Sequence, residues 1–457
     1  MALGKRQQEQ QEMWVATNEL PKSPGHPFYK RLNQLLAEVE FDRWVEQLCA
    51  PYYHAHIGRP GIPPGVYFRM IFIGYFEGIA SQRGIAWRCS DSRSLAEFLG
   101  VPPTEETPDH SSMSRMHGRF PLEVHEQVFA FVLRIAQEKK LLRGKTVAVD
   151  STTLEADAAM KTIVRKDTGD DWKAYLKKLA AEAGLENPTD EELRRFDQQR
   201  KDKKVSNDEW ESPTDPDAHI TRMKDGTTHL AYKAEHVVDV ETDLVLAATV
   251  HPGTASDHDT LVDSVMQADL NLQAAGSPRK GGIEEVAADK GYHSGRTIEL
   301  CDALNMRTYI PEPKAKGRRR WTDKSKEEHA AVLANRRRMK GARGKRLGRL
   351  RSEFIERSFA HVCETGGARR CWLHGLAKVT KRYLIQVAAR NLGVLMRKLF
   401  GMGTPRGLQK EGDLAALVYL VNCLLWCVMR VLVALGTARD GFVHQATALA
   451  AARRLAG

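Results

Sequence analysis

The spacing of apolar residues changes period near residue 145, and that change limits what the chain can fold into. Before it, FYKRLNQLLAEVEFDRWVEQL (28–48) and VYFRMIFIGYFEG (66–78) repeat apolar residues at helical intervals, with a Pro- and Gly-rich turn at Pro60–Gly65 between them. SLAEFLG (94–100) closes on Gly100 as a C-cap, and PDHSSMSRMHGRF (108–120) offers serine caps to a helix with Arg115 and Arg119 on its polar side. Short helices joined by tight turns and bearing arginines suit either a helix-turn-helix DNA reader or a plain helical bundle. After the change, KTVAVD (145–150), HLAYKAEHVVDV (229–240), DLVLAATVH (243–251), EEVAAD (284–289) and RTYI (307–310) are short, β-branched and bounded by turns, the mark of strands. DTLVDSVMQADLNLQAAG (259–276) between two of them reads as a helix. The fold class is therefore α/β, a mixed sheet with helices after an all-α N-terminal part.

At 457 residues the chain exceeds one hydrophobic core, so several domains are expected. The pattern divides it into a helical segment 1–140, an α/β segment 141–400 and a helical tail 401–457. The stretch 157–228 is polar and Lys-rich. It reads as an insertion after the first strand, with one helix closed by Gly184 and a second opened by a Thr189–Glu192 capping box. Seven scattered cysteines with no CxxC pair argue for a reducing compartment, and the start MALGKRQQEQQEMW lacks the apolar region of a secretory signal. One apolar run, 414–435, is long enough to span a bilayer but is interrupted by Asn422 and Arg430, so a buried or dimer-forming helix is preferred to a membrane span. Its Cys423 and Cys427 share one face and read as core.

The chain carries a net charge of +11, and the charge has a place. Between Lys314 and Arg351 stand 16 Lys or Arg against three acids, a net of +13, while the other 419 residues are net −2. Arg318, Arg319 and Arg320, Arg336, Arg337 and Arg338, and Arg343, Lys345 and Arg346 could each neutralise phosphates, giving salt-dependent affinity without sequence readout. A polyanionic, nucleic-acid substrate is the leading inference, against the alternative of a solvated charged face.

Three acids sit where an α/β sheet presents chemistry. Asp150 and Asp289 end strands, where ligand crevices form, and Glu356 lies on a helix directly after the basic run. Phosphoryl transfer on a nucleic-acid backbone needs hard oxygen ligands for two divalent ions about 3.5–4 Å apart, which such carboxylates can supply. Among 58 acids such a triple also arises by chance.

VAVDSTT around Asp150, AADKGYHS around Asp289 and FIERSFAHV around Glu356 resemble the three signature blocks of bacterial insertion-sequence DDE transposases. IGRPGIPPGVYFRMIFIGYFEGIASQRGIAWRC, SLAEFLGV and PDHSSMSRM resemble the helical N-terminal domain of one subgroup. SPTDPDAHITRMKDGTTHLAYKAEHVVDVET resembles the block leading into the second strand, and TGGARRCWLHGLAKVTKRYLIQVAARNLGVLMRK the region after the glutamate. The resemblance spans roughly residues 50 to 400.

It implies an RNase H-like core in which Asp150, Asp289 and Glu356 bind two Mg²⁺, with Mn²⁺ as a substitute. A metal-activated water would cut the transposon end and the freed 3′-hydroxyl would attack target DNA. The implied partners are double-stranded DNA, as terminal inverted repeats and target, and a second copy of the chain at synapsis. The implied location is the cytoplasm, at the nucleoid. Tyr292 matches the family's aromatic after the second acid and is expected to pack near or contact DNA. His236 falls on the second strand, beside the metals but not as a ligand. Glu353 competes with Glu356, but Arg357 and Phe359 match the family's Glu-Arg-x-Phe and favour Glu356. Asp157 competes with Asp150 but lies beyond the strand. Many relatives carry a lysine where this chain has Cys363, which leaves Arg369, Arg370 or Lys381 as substitutes. A DNA-binding regulator or domesticated relative without transposition is the alternative. His361, Cys363, Cys371 and His374 lack the spacing of a zinc finger, Ser256-Asp-His-Asp259 reads as a helix cap, and TDPDAH (214–219) as a turn.

Overall fold

The computed structural model describes residue 16 and residues 24–54, 61–185, 187–200, 205–223, 226–277, 281–314, 321, 322 and 324–407. Arg318–Arg320 and the apolar run 414–435 lie outside the described residues. The described residues up to Gly403 form one compact unit. Among the described residues no helix is long and apolar enough to cross a membrane.

Among the described residues seven α-helices precede the sheet: α1 (Pro27–Glu38), α2 (Phe41–Cys49), α3 (Pro64–Glu77), α4 (Gln82–Ser90), α5 (Arg93–Leu99), α6 (His110–Arg119) and α7 (Leu122–Glu138). The helix expected over 28–48 is two, because Glu40 takes the left-handed conformation (φ +49°) and turns the chain. The turn lets Asp42 reach Arg69 on α3, bonding its Nε at 3.0 Å and Nη2 at 2.7 Å. Arg69 also donates to Asn33 and to the Phe98 carbonyl, so this buried guanidinium has its charge paired and its donors engaged. On α6 the cap is Asp109, accepting from Ser112 N at 2.7 Å, and not a serine. Its carboxylate binds the orphan donor more strongly than a hydroxyl.

The sheet region runs β1 (Thr146–Glu155), β2 (Val164–Arg165), α8 (Trp172–Glu182), α9 (Asp190–Gln199), β3 (Trp210–Glu211), β4 (His219–Arg222), β5 (Thr228–Asp239), β6 (Val245–Pro252), α10 (Asp257–Ala274), β7 (Glu285–Ala288), α11 (Gly295–Ala303), β8 (Arg307–Tyr309), α12 (Lys326–Lys340), α13 (Ala342–Phe359) and α14 (Leu376–Phe400). Among the described residues six strands form one sheet in the order β4-β5-β1-β7-β8, with β6 also on β5. β5 is antiparallel to β1 and β6, while β7 and β8 run parallel to β1. β2 and β3 pair by themselves inside the insertion. There α8 and α9 bury Leu176, Ala180 and Leu193, and Trp210 packs between Trp172 and Tyr175. The expected capping box at Thr189–Glu192 is formed.

Two buried asparagines continue the sheet's hydrogen bonding into its helices. Asn391 on α14 brackets Val245, accepting from its N–H at 2.9 Å and donating to its carbonyl at 2.7 Å. Asn335 on α12 does the same for Ile310, at 3.1 and 2.8 Å. These amides satisfy buried backbone groups that no strand pairs. α14 packs against β6 on one side and against α3 and α7 on the other, so the N-terminal helices rest on a helix of the α/β region.

Candidate active site

β1 does not stop at Asp150, as its sequence suggests, but continues to Glu155. What ends there is the parallel pairing. Val149 lies opposite Ala288, the last residue of β7, so Asp150 and Asp289 emerge side by side where two parallel strands part. Ligand crevices form at such C-terminal strand ends. Thr153, Thr152 and Ser151 then run on along β5 alone, with polar side chains where a central strand would carry apolar ones.

A single cation holds the two aspartates. Arg351, on α13, places Nη1 on Asp150 Oδ2 and Nη2 3.7 Å from Asp289 Oδ1. Burial raises the Asp150 carboxyl, and the nearby Asp289 charge adds to the rise. The Ser151 N–H, 2.9 Å from Oδ1, and Arg351 oppose it without cancelling it. Asp289 is 46% exposed, so the pair opens to solvent on one side.

Opposite Asp150 on β5 stands His236, fully buried and on the same face of the sheet. Its Nε2 meets the Tyr383 hydroxyl and its Nδ1 the Ser358 Oγ, both at 2.9 Å, and its ring stacks on Phe359. Because Ser358 already donates to the Ile355 carbonyl, Nδ1 carries the ring proton and Tyr383 donates to Nε2. Burial holds this imidazole neutral, well below its ordinary pKa. His236 thus fixes α13 and α14 behind Asp150, in keeping with a place beside the acids.

The third expected acid does not stand with the other two. Glu356 is exposed on α13, without a hydrogen-bond or ion-pair partner among the described residues, whereas Glu353 is tied to Arg357 at 2.5 Å. Among the described residues no three His, Cys, Asp or Glu side chains are grouped closely enough to hold a metal ion. α13 carries two stripes: Leu347, Arg351, Ile355 and Ser358 turn inward, while Lys345, Arg349, Ser352 and Glu356 recur at helical spacing on another face.

The basic run also splits. Arg336 is bidentate to Glu312, Arg338 donates to the Thr308 carbonyl and hydroxyl, and Arg343 pairs with Glu285. Burial alone would raise Glu285, but hydrogen bonds from Arg343, Thr146 and Tyr309, with the Arg343 charge, bring it down to about 2. These three arginines therefore brace α12 and α13 against β7 and β8. Arg337, Lys345 and Arg346 face solvent. Tyr292 is a correction. It is 0% exposed and donates to Glu235 at 2.6 Å, so it packs and does not offer itself to DNA.

Cys363, where relatives carry lysine, is core, in a π-helical turn over 360–365 that extends α13. Of its expected substitutes, Arg369 holds Thr152 Oγ1 and the Thr153 carbonyl, and Arg370 pairs with Asp157. Lys381 donates to the His117 carbonyl, away from the acids.

Residues that composition and spacing did not single out complete the neighbourhood. On the other face of β1 and β5, Lys233 bridges Asp257 at 2.8 Å and Glu235 at 3.8 Å. Asp257 accepts from Ser151 Oγ at 3.1 Å, and Glu235 accepts from Thr260 and Tyr292. A Cβ on Gly291 would stand 2.6 Å from Asp257, so the loop after Asp289 closes tightly on this cluster. The alternation of Lys233, Glu235 and Val237 along one face of a buried strand was the available signal.

The family described as Transposase DDE domain matches residues 142–392, more than half of the chain, and Transposase domain (DUF772) matches residues 17–119. The chain belongs to the DDE transposase family of insertion sequences, and its mixed sheet with helices is an RNase H-like arrangement. It is an enzyme of DNA cleavage and transfer. No curated protein and no solved structure matches it.

Proposed function

We propose that this transposase cuts the ends of its element and joins their 3′-hydroxyls to target DNA, with Asp150, Asp289 and Glu356 as metal ligands. The observation that carries the reading is the meeting of Asp150 and Asp289 around one guanidinium at the mouth of two parallel strands. Hard carboxylate oxygens already gathered about a positive charge suit a divalent cation such as Mg²⁺ or Mn²⁺. Asp150 and Asp289 would hold it, and Glu356, unpaired on α13, is the acid left available to join them. Two such ions would supply Lewis-acid activation of the attacking oxygen and charge neutralisation at the leaving one.

The protein's own residues do the rest. β1 and β7 fix the spacing of the aspartates, and His236, Ser358 and Phe359 lock α13 against β5. Lys345 and Arg349, on the stripe that leads to Glu356, supply cations for the phosphates flanking the cut. The N-terminal part, residues 1–140, is assigned to the terminal inverted repeats, a second copy to the other end at synapsis, and the chain to the cytoplasmic nucleoid.

Asp150→Asn, Asp289→Asn and Glu356→Gln should each abolish cleavage of a labelled transposon end, with duplex binding retained. Cleavage surviving in Glu356→Gln but lost in Glu353→Gln would move the third ligand. Full binding without cleavage by the unaltered chain, in Mg²⁺ and in Mn²⁺, would favour the regulator.

A further inference from the structure

Below α4, between the N-terminal helices and the segment that follows the catalytic helix, lies a cleft of about 380 Å³. Arg83 on α4, His110 on α6, Arg370, Trp372, Arg382 and Tyr383 line it, and no Asp or Glu does. Arg382 is 8% exposed and donates through Nη2 to the Ala80 carbonyl at 3.2 Å. Its Nε is buried without a partner, and no carboxylate lies within ion-pair distance among the described residues. Burial lowers its pKa to about 10. A buried guanidinium without a counter-charge is costly, and an anion in the cleft would relieve it. Arg69, equally buried, has Asp42, so the fold does supply carboxylates where an arginine is purely structural.

The cleft also has an aromatic wall. Trp372 is 49% exposed, with the Arg370 guanidinium 5.0 Å from its ring. An exposed indole held by a cation, above a concave surface rich in arginine, matches a planar base attached to a phosphate. The volume admits one nucleotide and no duplex, whose major groove alone is about 12 Å wide.

The cleft is tied to the acids. Glu155, at the end of β1, bonds to the Arg369 carbonyl and to the Cys371 N–H, which sets the segment carrying Trp372 five residues beyond Asp150, about 17 Å along the strand. Tyr383 lines the cleft and donates to His236, the neighbour of Asp150. A strand cut at Asp150 and Asp289 would thus present a base to the cleft a few nucleotides from the cut.

We propose that this cleft holds one unpaired nucleotide of the bound DNA, its phosphate against Arg83 and Arg382 and its base on Trp372. The proposal rests on the reading that the chain acts on DNA, and its test separates the two. Full-length protein is titrated by fluorescence anisotropy, at fixed salt, with a 20-base-pair duplex and with the same duplex bearing a one-nucleotide bulge. The unaltered chain should bind the bulged duplex about ten-fold more tightly, the scale of one stacked base. Trp372→Ala and Arg83→Ala, both at exposed positions, should each erase that preference and leave affinity for the paired duplex within about two-fold. Equal binding of the two duplexes by the unaltered chain, or a preference kept in both variants, overturns the cleft. Loss of all DNA binding by the unaltered chain overturns the functional reading as well.

Discussion

The two faces of β1 carry similar numbers of charged groups and use them in opposite ways. On the Asp150 face, two carboxylates share one guanidinium and Asp289 is half exposed. On the Ser151 face, Lys233 and Glu235 are buried, Asp257 caps the approach, and Thr260, Tyr292 and Ser151 supply hydroxyls. The second cluster is closed: Lys233 and Glu235 lie inside the fold, hydroxyls supply its carboxylates, and among its described side-chain atoms only Glu235 Oε1 is buried without a hydrogen bond. The first has the same balance, two carboxylates to one cation, but is open to solvent through Asp289. A closed cluster stabilises, whereas an open one stores electrostatic potential for a ligand.

The largest effect should separate the faces outright. Asp150→Asn should lower end cleavage by roughly 10³-fold, about 4 kcal/mol of transition-state stabilisation, with the thermal midpoint unchanged within a few degrees. Lys233→Met should do the reverse. It leaves Glu235 and Asp257 facing each other without their cation and should cost about 3–5 kcal/mol in urea unfolding. A loss under about 1 kcal/mol there would erase the distinction between the faces.

A second closed site sharpens it. His117 and His125 are buried against the Tyr67 hydroxyl, and burial lowers them to about 3 and about 4. Both fall below the unfolded value, so their contribution is complete above about pH 6.5 and is lost as the pH falls towards the folded values. At pH 5 each should have cost about 2 kcal/mol of stability, read as a falling unfolding midpoint that His125→Gln makes shallower. The open face should respond instead to cations. Arg351→Ala removes a competing positive charge and should tighten Mn²⁺ binding about ten-fold by calorimetry, whereas weaker binding would make Arg351 a support for the site. The smallest effect belongs to Glu353→Gln, which breaks an exposed pair with Arg357 and should change stability by about 0.5 kcal/mol or less.

Much of the fold was legible in the residue pattern. The strands at 229–240, 243–251, 284–289 and 307–310 lie within a few residues of where alternation put them, as do the insertion helices. The break at Glu40 was not legible, because a left-handed glutamate runs against local preference and its return, the Asp42–Arg69 contact, lies across the bundle. The basic run misled in part. Its charge read as one phosphate-facing surface, yet Arg336, Arg338 and Arg343 bond to acids and carbonyls that are distant in sequence.

The sequence by itself determined the period change, the ordered acidic blocks and hence the family, because spacing and residue type are local properties. Which acids face one another, which arginines pair within the fold and which face solvent was decided by tertiary structure. Pairing of charges depends on distances across the sheet, and no one-dimensional pattern contains them.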